Sequence, residues 1–111
     1  MAGRKYFTNA TPYTLWVTLI IRECADPRHT AGTKDFSLNS GQSLWVEYGN
    51  NINIFLNGIQ ITAVLDGSIV SQQYIVIQRS SKLDNMLNMR NGVTFTYNAG
   101  TNSFGINTKQ V

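Results

Sequence analysis

The only histidine and the only cysteine of this chain lie in one short segment, together with a carboxylate. Cys24, Asp26 and His29 offer a thiol, an acid and an imidazole within six residues. Nucleophilic catalysis needs a nucleophile beside a base that a third group orients, and known triads take these groups from separate elements that hold the geometry. A single loop does not provide that support. We therefore expect an exposed loop at this position and predict that the protein is not an enzyme.

The spacing of the acidic residues does not indicate a metal site. The remaining carboxylates that could join Cys24 or His29 are spread over separate turns and strands: Asp26, Asp35, Glu47, Asp66 and Asp84. The sequence has no zinc-ligand spacing, no EF-hand loop, no phosphate-binding loop and no dinucleotide fingerprint. We expect no cofactor and no bound metal. A calcium ion held by loop carbonyls and one or two aspartates stays open as an alternative.

The basic residues do not form a nucleic-acid footprint. Nine lysines and arginines stand against six acidic residues, which gives a formal net charge of +3 at pH 7. Strong phosphate binding needs clustered cations, because affinity comes from counterion release at each neutralised phosphate. Here the cations are dispersed, with small groups only at Arg4-Lys5 and among Arg79, Lys82 and Arg90. A nucleic-acid partner is therefore not expected.

The two tryptophans are the strongest candidates for a binding surface. Trp16 and Trp45 fall out of phase with the aliphatic residues of their predicted strands, so both indoles should point outward. If the two strands belong to one sheet, its solvent face carries Trp16, Thr18, Ile20, Trp45 and Glu47. Exposed apolar patches of this kind are typical of binding surfaces. Planar aromatic rings stack on the C–H faces of sugars, while neighbouring polar side chains bind the hydroxyls.

Three interpretations of this aromatic patch follow from the sequence. In the first, the protein is a lectin-like module that binds a carbohydrate or a protein partner through Trp16, Thr18, Trp45 and Glu47. In the second, it is a homo-oligomeric assembly protein that buries the same patch between subunits. In the third, a helix or loops cover the patch, and the tryptophans form a second layer of core. We take the first as the working hypothesis and the second as its alternative.

The elements that must position these residues are predicted to be β-strands. Short apolar runs rich in β-branched and aromatic residues are broken at regular intervals by Gly, Asn and Asp. The predicted strands cover residues 15–22, 34–38, 43–48, 52–56, 59–65, 68–79, 93–97 and 103–106. Short strands joined by hairpin turns favour a single antiparallel β-sandwich of about eight strands with one short helix, and a small β-barrel is the alternative.

The chain length of 111 residues fits one domain over residues 1–111, with residues 1–5 and 108–111 expected to be flexible ends. The sequence has no hydrophobic run long enough for a signal peptide or a membrane span, so we expect no transmembrane segment. Cys24 alone cannot form an intrachain disulfide, which favours a cytoplasmic protein.

Turn residues predict how the strands are connected. Asn57-Gly58 and Asp66-Gly67 are the residue pairs that type I′ hairpin turns prefer, since both positions need positive φ. They predict an antiparallel meander of the three strands around them. A turn at residues 39–41 predicts that the strands on either side of it form another hairpin.

One segment carries helical signals. Residues 80–90 contain Ser81, which can accept a hydrogen bond as an N-cap, and Asp84 three residues later, as in a capping box. An apolar stripe follows the helical period at Leu83, Met86 and Leu87. We predict one helix of about two turns here.

Overall fold

The computed structural model describes residues 3–111, which form eight β-strands and one α-helix. The elements are β1 (Gly3–Asn9), β2 (Leu15–Arg22), β3 (Thr30–Leu38), β4 (Ser43–Tyr48), β5 (Leu56–Leu65), β6 (Ser68–Ile75), α1 (Lys82–Asn88), β7 (Gly92–Asn98) and β8 (Ser103–Lys109). Sheet A has the strand order β4-β1-β7-β8 and sheet B the order β3-β2-β5-β6. The two sheets are not closed into a barrel, so the predicted all-β sandwich is confirmed. One pair departs from the expected antiparallel arrangement, since β1 and β7 run parallel.

Alternating apolar side chains from the two sheets form one core between them. Leu15, Val17 and Leu19 of β2 are buried, and Phe7 and Phe95 fill the core from sheet A. The rings of Phe7 and Phe95 are stacked with 5.9 Å between their centroids. Because side chains alternate along a strand, the intervening residues of each strand lie on the outer faces of the sandwich.

Asn57 and Gly58 do not form the predicted hairpin turn. They lie within β5, where the register against β2 shifts between Ile20 and Ile21 and leaves one extra residue on β5. The buried Asn57 amide accepts a hydrogen bond from Arg22 Nε at 2.8 Å and donates one to the His29 carbonyl at 2.9 Å. The predicted strand at 52–56 and the three-strand meander are therefore wrong, because residues 52–55 precede β5 and the Asn57 position is a bulge inside that strand.

The second Asx-Gly pair behaves as predicted. Asp66 and Gly67 have φ angles of 50° and 81° and connect β5 to β6, which pair in an antiparallel hairpin. The turn at 39–41, by contrast, does not join a hairpin, since β3 pairs with β2 and β4 pairs with β1. The chain passes there from sheet B to sheet A. A period-two pattern identifies the faces of a strand but not its partner.

A buried asparagine holds two of the four places where the chain crosses between the sheets. The Asn9 side-chain amide donates hydrogen bonds to the carbonyls of Tyr13 and Leu38, at 2.7 Å and 3.0 Å. Its oxygen accepts from the Thr11 N–H at 3.0 Å. All these groups are satisfied inside the protein, so Asn9 fixes the β1–β2 crossing against the end of β3.

The chain ends contribute to sheet A. Residues 3–5, for which the sequence suggested a flexible end, form the start of β1, and Lys5 is buried there. Met1 and Ala2 lie outside the described residues. Strand β8 extends to Lys109, so residues 108 and 109 also pair with β7.

The predicted helix is present and Ser81 caps it as expected, but Asp84 bonds the N–H of Ser80 and not that of Ser81 as a capping box would require. Ser81 Oγ accepts a hydrogen bond from the Asp84 N–H at 3.2 Å, and Asp84 Oδ2 accepts one from the Ser80 N–H at 2.7 Å. Leu87 is buried, and α1 packs against β5 of sheet B and β8 of sheet A. The helix therefore closes one end of the sandwich and leaves both tryptophans uncovered. Within residues 3–111, no helix has the length and apolar character needed to cross a bilayer.

Candidate functional site

The two tryptophans lie on different sheets. Trp16 belongs to β2 of sheet B and is 49% exposed, whereas Trp45 belongs to β4 of sheet A and is 38% exposed. Both indoles point outward, as their phase predicts. The expected single patch of Trp16, Thr18, Ile20, Trp45 and Glu47 is nevertheless wrong, because β2 and β4 do not share a sheet. Trp16 and Thr18 are together on one outer face, and Trp45 and Glu47 are together on the other.

Polar side chains surround Trp16 on the outer face of sheet B. They form two rows across the strands, Ser37–Trp16–Thr62–Ser71 and Asp35–Thr18–Gln60–Gln73. Hydrogen bonds order both rows: Thr18 Oγ1 donates to Asp35 Oδ1 at 2.7 Å, and the Thr62 and Ser71 hydroxyls are 2.9 Å apart. We call these two rows the Trp16 face. It combines a half-exposed indole with ordered hydrogen-bonding groups.

An open depression of about 410 Å³ lies at the β3 side of the Trp16 face. Its lining includes Trp16, Thr18, Asp35 and Ser37. The Asp35 carboxylate accepts one hydrogen bond from Thr18 and keeps further acceptor positions toward solvent, since an ionised carboxylate has about four lone-pair sites. The two rows contain no lysine or arginine, so the only formal charge on the Trp16 face is that of Asp35.

The surroundings of Trp45 on sheet A are different. The Tyr6 ring lies beside it with 5.1 Å between centroids, and the Arg4 guanidinium is 4.3 Å from the centre of the indole. Glu47 stands opposite Arg4 in the β1–β4 register. A cation over the ring face is favourable in itself and occupies the surface on which a ligand would stack. Trp45 is therefore the less available of the two indoles.

The residues Cys24, Asp26 and His29 do not form a catalytic arrangement. Arg28 Nη2 is 2.9 Å from Asp26 Oδ2, and hydrogen bonds from the Arg28 side chain and N–H hold the pKa of Asp26 well below its usual range. His29 Nε2 is 3.7 Å from the same carboxylate, too far for a hydrogen bond. In the described part of the chain no hydrogen bond joins Cys24 to His29. The Asp26 carboxylate therefore forms an exposed ion pair with Arg28.

The structure does not bring the other acidic residues together around a cation. Among residues 3–111 no three His, Cys, Asp or Glu side chains are grouped closely enough to hold a metal ion. Asp84 is instead buried against Arg22 at 2.7 Å, and Asp66 belongs to the β5–β6 turn.

Lys5 is an unusual buried cation on the inner side of β1. It is 4% exposed, its Nζ donates to the Arg90 carbonyl, and no carboxylate within residues 3–111 forms an ion pair with it. Burial lowers the pKa of Lys5 to about 8. It lines a depression of about 430 Å³ together with Tyr48, whose pKa burial raises. The sequence indicated only a small Arg4-Lys5 surface patch and gave no sign of this burial.

Several residues of the Trp16 face were not predicted from the sequence. Asp35 and Ser37 occupy outward positions of β3, and Gln60 and Thr62 occupy outward positions of β5. The period-two pattern in β3, where Phe36 and Leu38 point inward, would have given the face of each side chain. The pattern could not have shown that β2 lies between β3 and β5 in the sheet.

Comparison with protein-family models, with curated proteins and with solved structures finds no match to this chain. The assignment of a function therefore depends on the side chains of the two outer faces and on the chemistry that they offer.

Proposed function

We propose that this protein is a non-catalytic, lectin-like binding module that binds neutral carbohydrate on the Trp16 face of sheet B. The observation that supports this proposal is the position of the half-exposed Trp16 ring beside two ordered rows of polar side chains. The indole provides an apolar surface for the C–H face of a sugar ring. Thr18, Asp35 and Gln60 provide hydrogen-bonding groups within the neighbouring row.

The shape of the surface favours an extended ligand that lies flat. Trp16 and its neighbours project from paired strands of one sheet, and strands hold side chains more rigidly than loops do. The Asp35 carboxylate is oriented by Thr18 and can accept from sugar hydroxyls. A rigid platform of this kind reduces the entropy cost of binding, because little needs to be ordered when the ligand arrives.

The charge of the Trp16 face favours neutral sugars over acidic ones. Asp35 is its only formally charged residue, so a uronate or sulfated chain would meet a like charge and no cation. Like charges at close range oppose binding. The ligand class that fits the surface is therefore a neutral glycan.

A homo-oligomer that covers the Trp16 face is the second candidate. Val64 and Ile69 are exposed in the row next to Trp16 and extend the apolar part of this surface. Exposed apolar groups next to an indole also suit a protein interface. The two candidates differ in one respect: a glycan site leaves Trp16 in water without ligand, whereas an oligomer interface buries it as protein concentration rises.

The direct experiment is calorimetric titration with soluble neutral oligosaccharides built from glucose, mannose, galactose or N-acetylglucosamine. We expect at least one of them to bind, and the variant Trp16→Ala to lower its affinity at least about tenfold, which corresponds to about 1.4 kcal/mol. Trp45→Ala is the matched control on the other sheet and should retain the affinity. Absence of binding by every oligosaccharide, or loss of binding only in Trp45→Ala, would overturn the proposal.

A further inference from the structure

The four edge strands of the sandwich differ in how they are protected against pairing with other strands. Strand β3 carries Lys34 and Asp35, and β4 carries Glu47. Charged side chains on an edge oppose pairing with another chain. Strand β8 is uncharged except at its end, and side chains from the same molecule bind two of its outward carbonyls. Arg90 binds that of Thr108, and Gln72 binds that of Phe104.

Strand β6 has none of these protections. Residues 68–78 contain no charged residue, no proline and no glycine. Its outward side chains include Ile69, which is 76% exposed, and Ile75, which is also exposed. A long uncharged edge strand with exposed apolar side chains is an open template for another strand.

The hydrogen-bonding pattern of the β5–β6 ladder identifies the free backbone groups. The Val76 N–H donates to the Asn57 carbonyl at 2.7 Å, just beyond the end of β6. Hydrogen-bonded pairs alternate along an antiparallel ladder, so the even-numbered residues of β6 bond to β5. The N–H and C=O groups of Ile69, Ser71 and Gln73, and the N–H of Ile75, consequently point away from the sheet. Among residues 3–111 no other hydrogen bond to these groups is present.

We propose that two copies of this chain associate through antiparallel pairing of their β6 strands, which joins the two B sheets into one. This association goes beyond the proposed binding function and does not depend on it. A two-fold axis at Gln72 brings Ile69 opposite Ile75 and Ser71 opposite Gln73 of the second copy. These are residues with free backbone groups: the two Ser71–Gln73 pairs can each exchange two hydrogen bonds, and each Ile75 N–H can donate to the Ile69 carbonyl of the other copy, about six bonds in all.

The register of β6 against itself explains why the partner strand is that of a second copy of this chain. Around Gln72 the strand is self-complementary: isoleucines meet on the outer side, Val70 meets Tyr74 on the inner side, and no charges are opposed. The edge strand β3 of another molecule would bring Lys34 and Asp35 against this uncharged strand. That head-to-tail contact would also generate an open chain, whereas pairing of β6 with itself closes after two copies.

The association would also change the presentation of the Trp16 face. In a continuous sheet related by a two-fold axis, both outer faces are on the same side. Five strand spacings separate β2 of one copy from β2 of the other, roughly 24 Å. If the Trp16 face binds a glycan, the pair becomes a bivalent binder of one extended polymer.

The test is sedimentation velocity on the full chain over a range of about 1–200 μM, together with hydrogen exchange at matching concentrations. We expect a monomer–dimer equilibrium, in which the amides of Ser71 and Gln73 become protected only as the dimer forms. Gln73→Lys should shift the equilibrium toward monomer at least tenfold, because it introduces a charge at the two-fold contact. Thr33→Lys, on the edge strand β3, is the matched control and should leave the equilibrium unchanged.

The wild-type hydrogen-exchange measurement keeps the test decisive even if a variant folds poorly. A monomer throughout the concentration range would overturn the proposal. So would a dimer in which the Ser71 and Gln73 amides exchange as fast as in the monomer, or growth into open-ended polymers. None of these outcomes bears on glycan binding, which is measured separately with the Trp16→Ala and Trp45→Ala pair.

Discussion

The side-chain amide of Gln72 pairs with the main chain of Phe104 across the open side of the sandwich. Its oxygen accepts a hydrogen bond from the Phe104 N–H at 2.9 Å, and its nitrogen donates to the Phe104 carbonyl. The Tyr74 hydroxyl donates to the same carbonyl. Because Gln72 belongs to β6 and Phe104 to β8, a side chain bridges the two sheets and binds backbone groups on the edge of β8 that a neighbouring strand could otherwise pair with.

This bridge should contribute measurably to stability. Gln72→Ala leaves the Phe104 N–H without its partner, and we expect the free energy of unfolding to fall by about 1–3 kcal/mol. Gln73→Ala is the matched control, because the Gln73 side chain points outward and reaches only Gln60 at 3.4 Å. Its effect should stay within about 0.5 kcal/mol. Urea denaturation of dilute protein measures both, and equal losses would contradict the role of the bridge.

The buried ion pair between Arg22 and Asp84 joins β2 to α1. Arg22 Nη2 lies 2.7 Å from Asp84 Oδ1, and both side chains are nearly inaccessible to solvent. Asp84→Ala leaves the Arg22 charge buried without a partner, so we expect a loss of about 3–5 kcal/mol. The double variant Arg22→Met/Asp84→Leu removes the unpaired charge and should recover part of this loss in urea denaturation, since the Asn57 amide oxygen and the Ser80 N–H also lose their partners. A double variant as unstable as the single one would contradict the cost assigned to the unpaired charge.

The same pair predicts how stability depends on pH. Burial opposes ionisation of Asp84, but hydrogen bonds from Arg22, the Ser80 N–H and Asn88 outweigh it and lower its pKa below the ordinary 3.8. A depressed carboxyl pKa stabilises the fold above its unfolded value and loses this contribution as pH falls through the folded value. Unfolding free energies should therefore decrease below about pH 4. Asp84→Asn should lose part of this acid dependence, and an unchanged profile would contradict the assignment.

Lys5 predicts a second rise of stability with pH, in the alkaline range. Its pKa is lowered from 10.5 to about 8 by burial, so between these values the unfolded chain binds more protons than the folded one. Stability should therefore rise with pH in that window, because folding no longer has to bury a charge. Lys5→Met should raise the unfolding free energy at pH 7 by about 1–3 kcal/mol and remove the rise. Lys82→Met on the exposed start of α1 is the control, and a wild-type profile that stays flat from pH 7 to 9.5 would refute the prediction.

Local signals in the sequence were sufficient where a short segment determines its own structure. Asp66-Gly67 forms the predicted two-residue turn, and Ser81 caps α1 as predicted. The outward direction of Trp16 and Trp45 also follows from local alternation. In each case the controlling interactions are made within a few residues, so that sequence order alone is informative.

Features that depend on residues distant in the chain could not be predicted from these local signals. Strand β1 was missed because its inward positions include Gly3, Lys5 and Asn9, which hide the apolar alternation. Asn57 resembles a turn residue, but its side chain lies at a bulge in β5 and accepts a hydrogen bond from Arg22. The separation of the two tryptophans depends on which strands share a sheet, and the alternation of side chains carries no information about that choice.

The measurement that tests the proposed function most directly is a fluorescence titration of the Trp45→Phe variant, in which Trp16 is the only indole. The neutral oligosaccharides named above serve as ligands, and acrylamide quenching reports the access of solvent to the ring. A glycan site on the Trp16 face predicts strong quenching without ligand, a saturable change in emission with at least one oligosaccharide, and protection from acrylamide at saturation. An unchanged emission with every oligosaccharide, or a response found only in the Trp16→Phe variant, would contradict it.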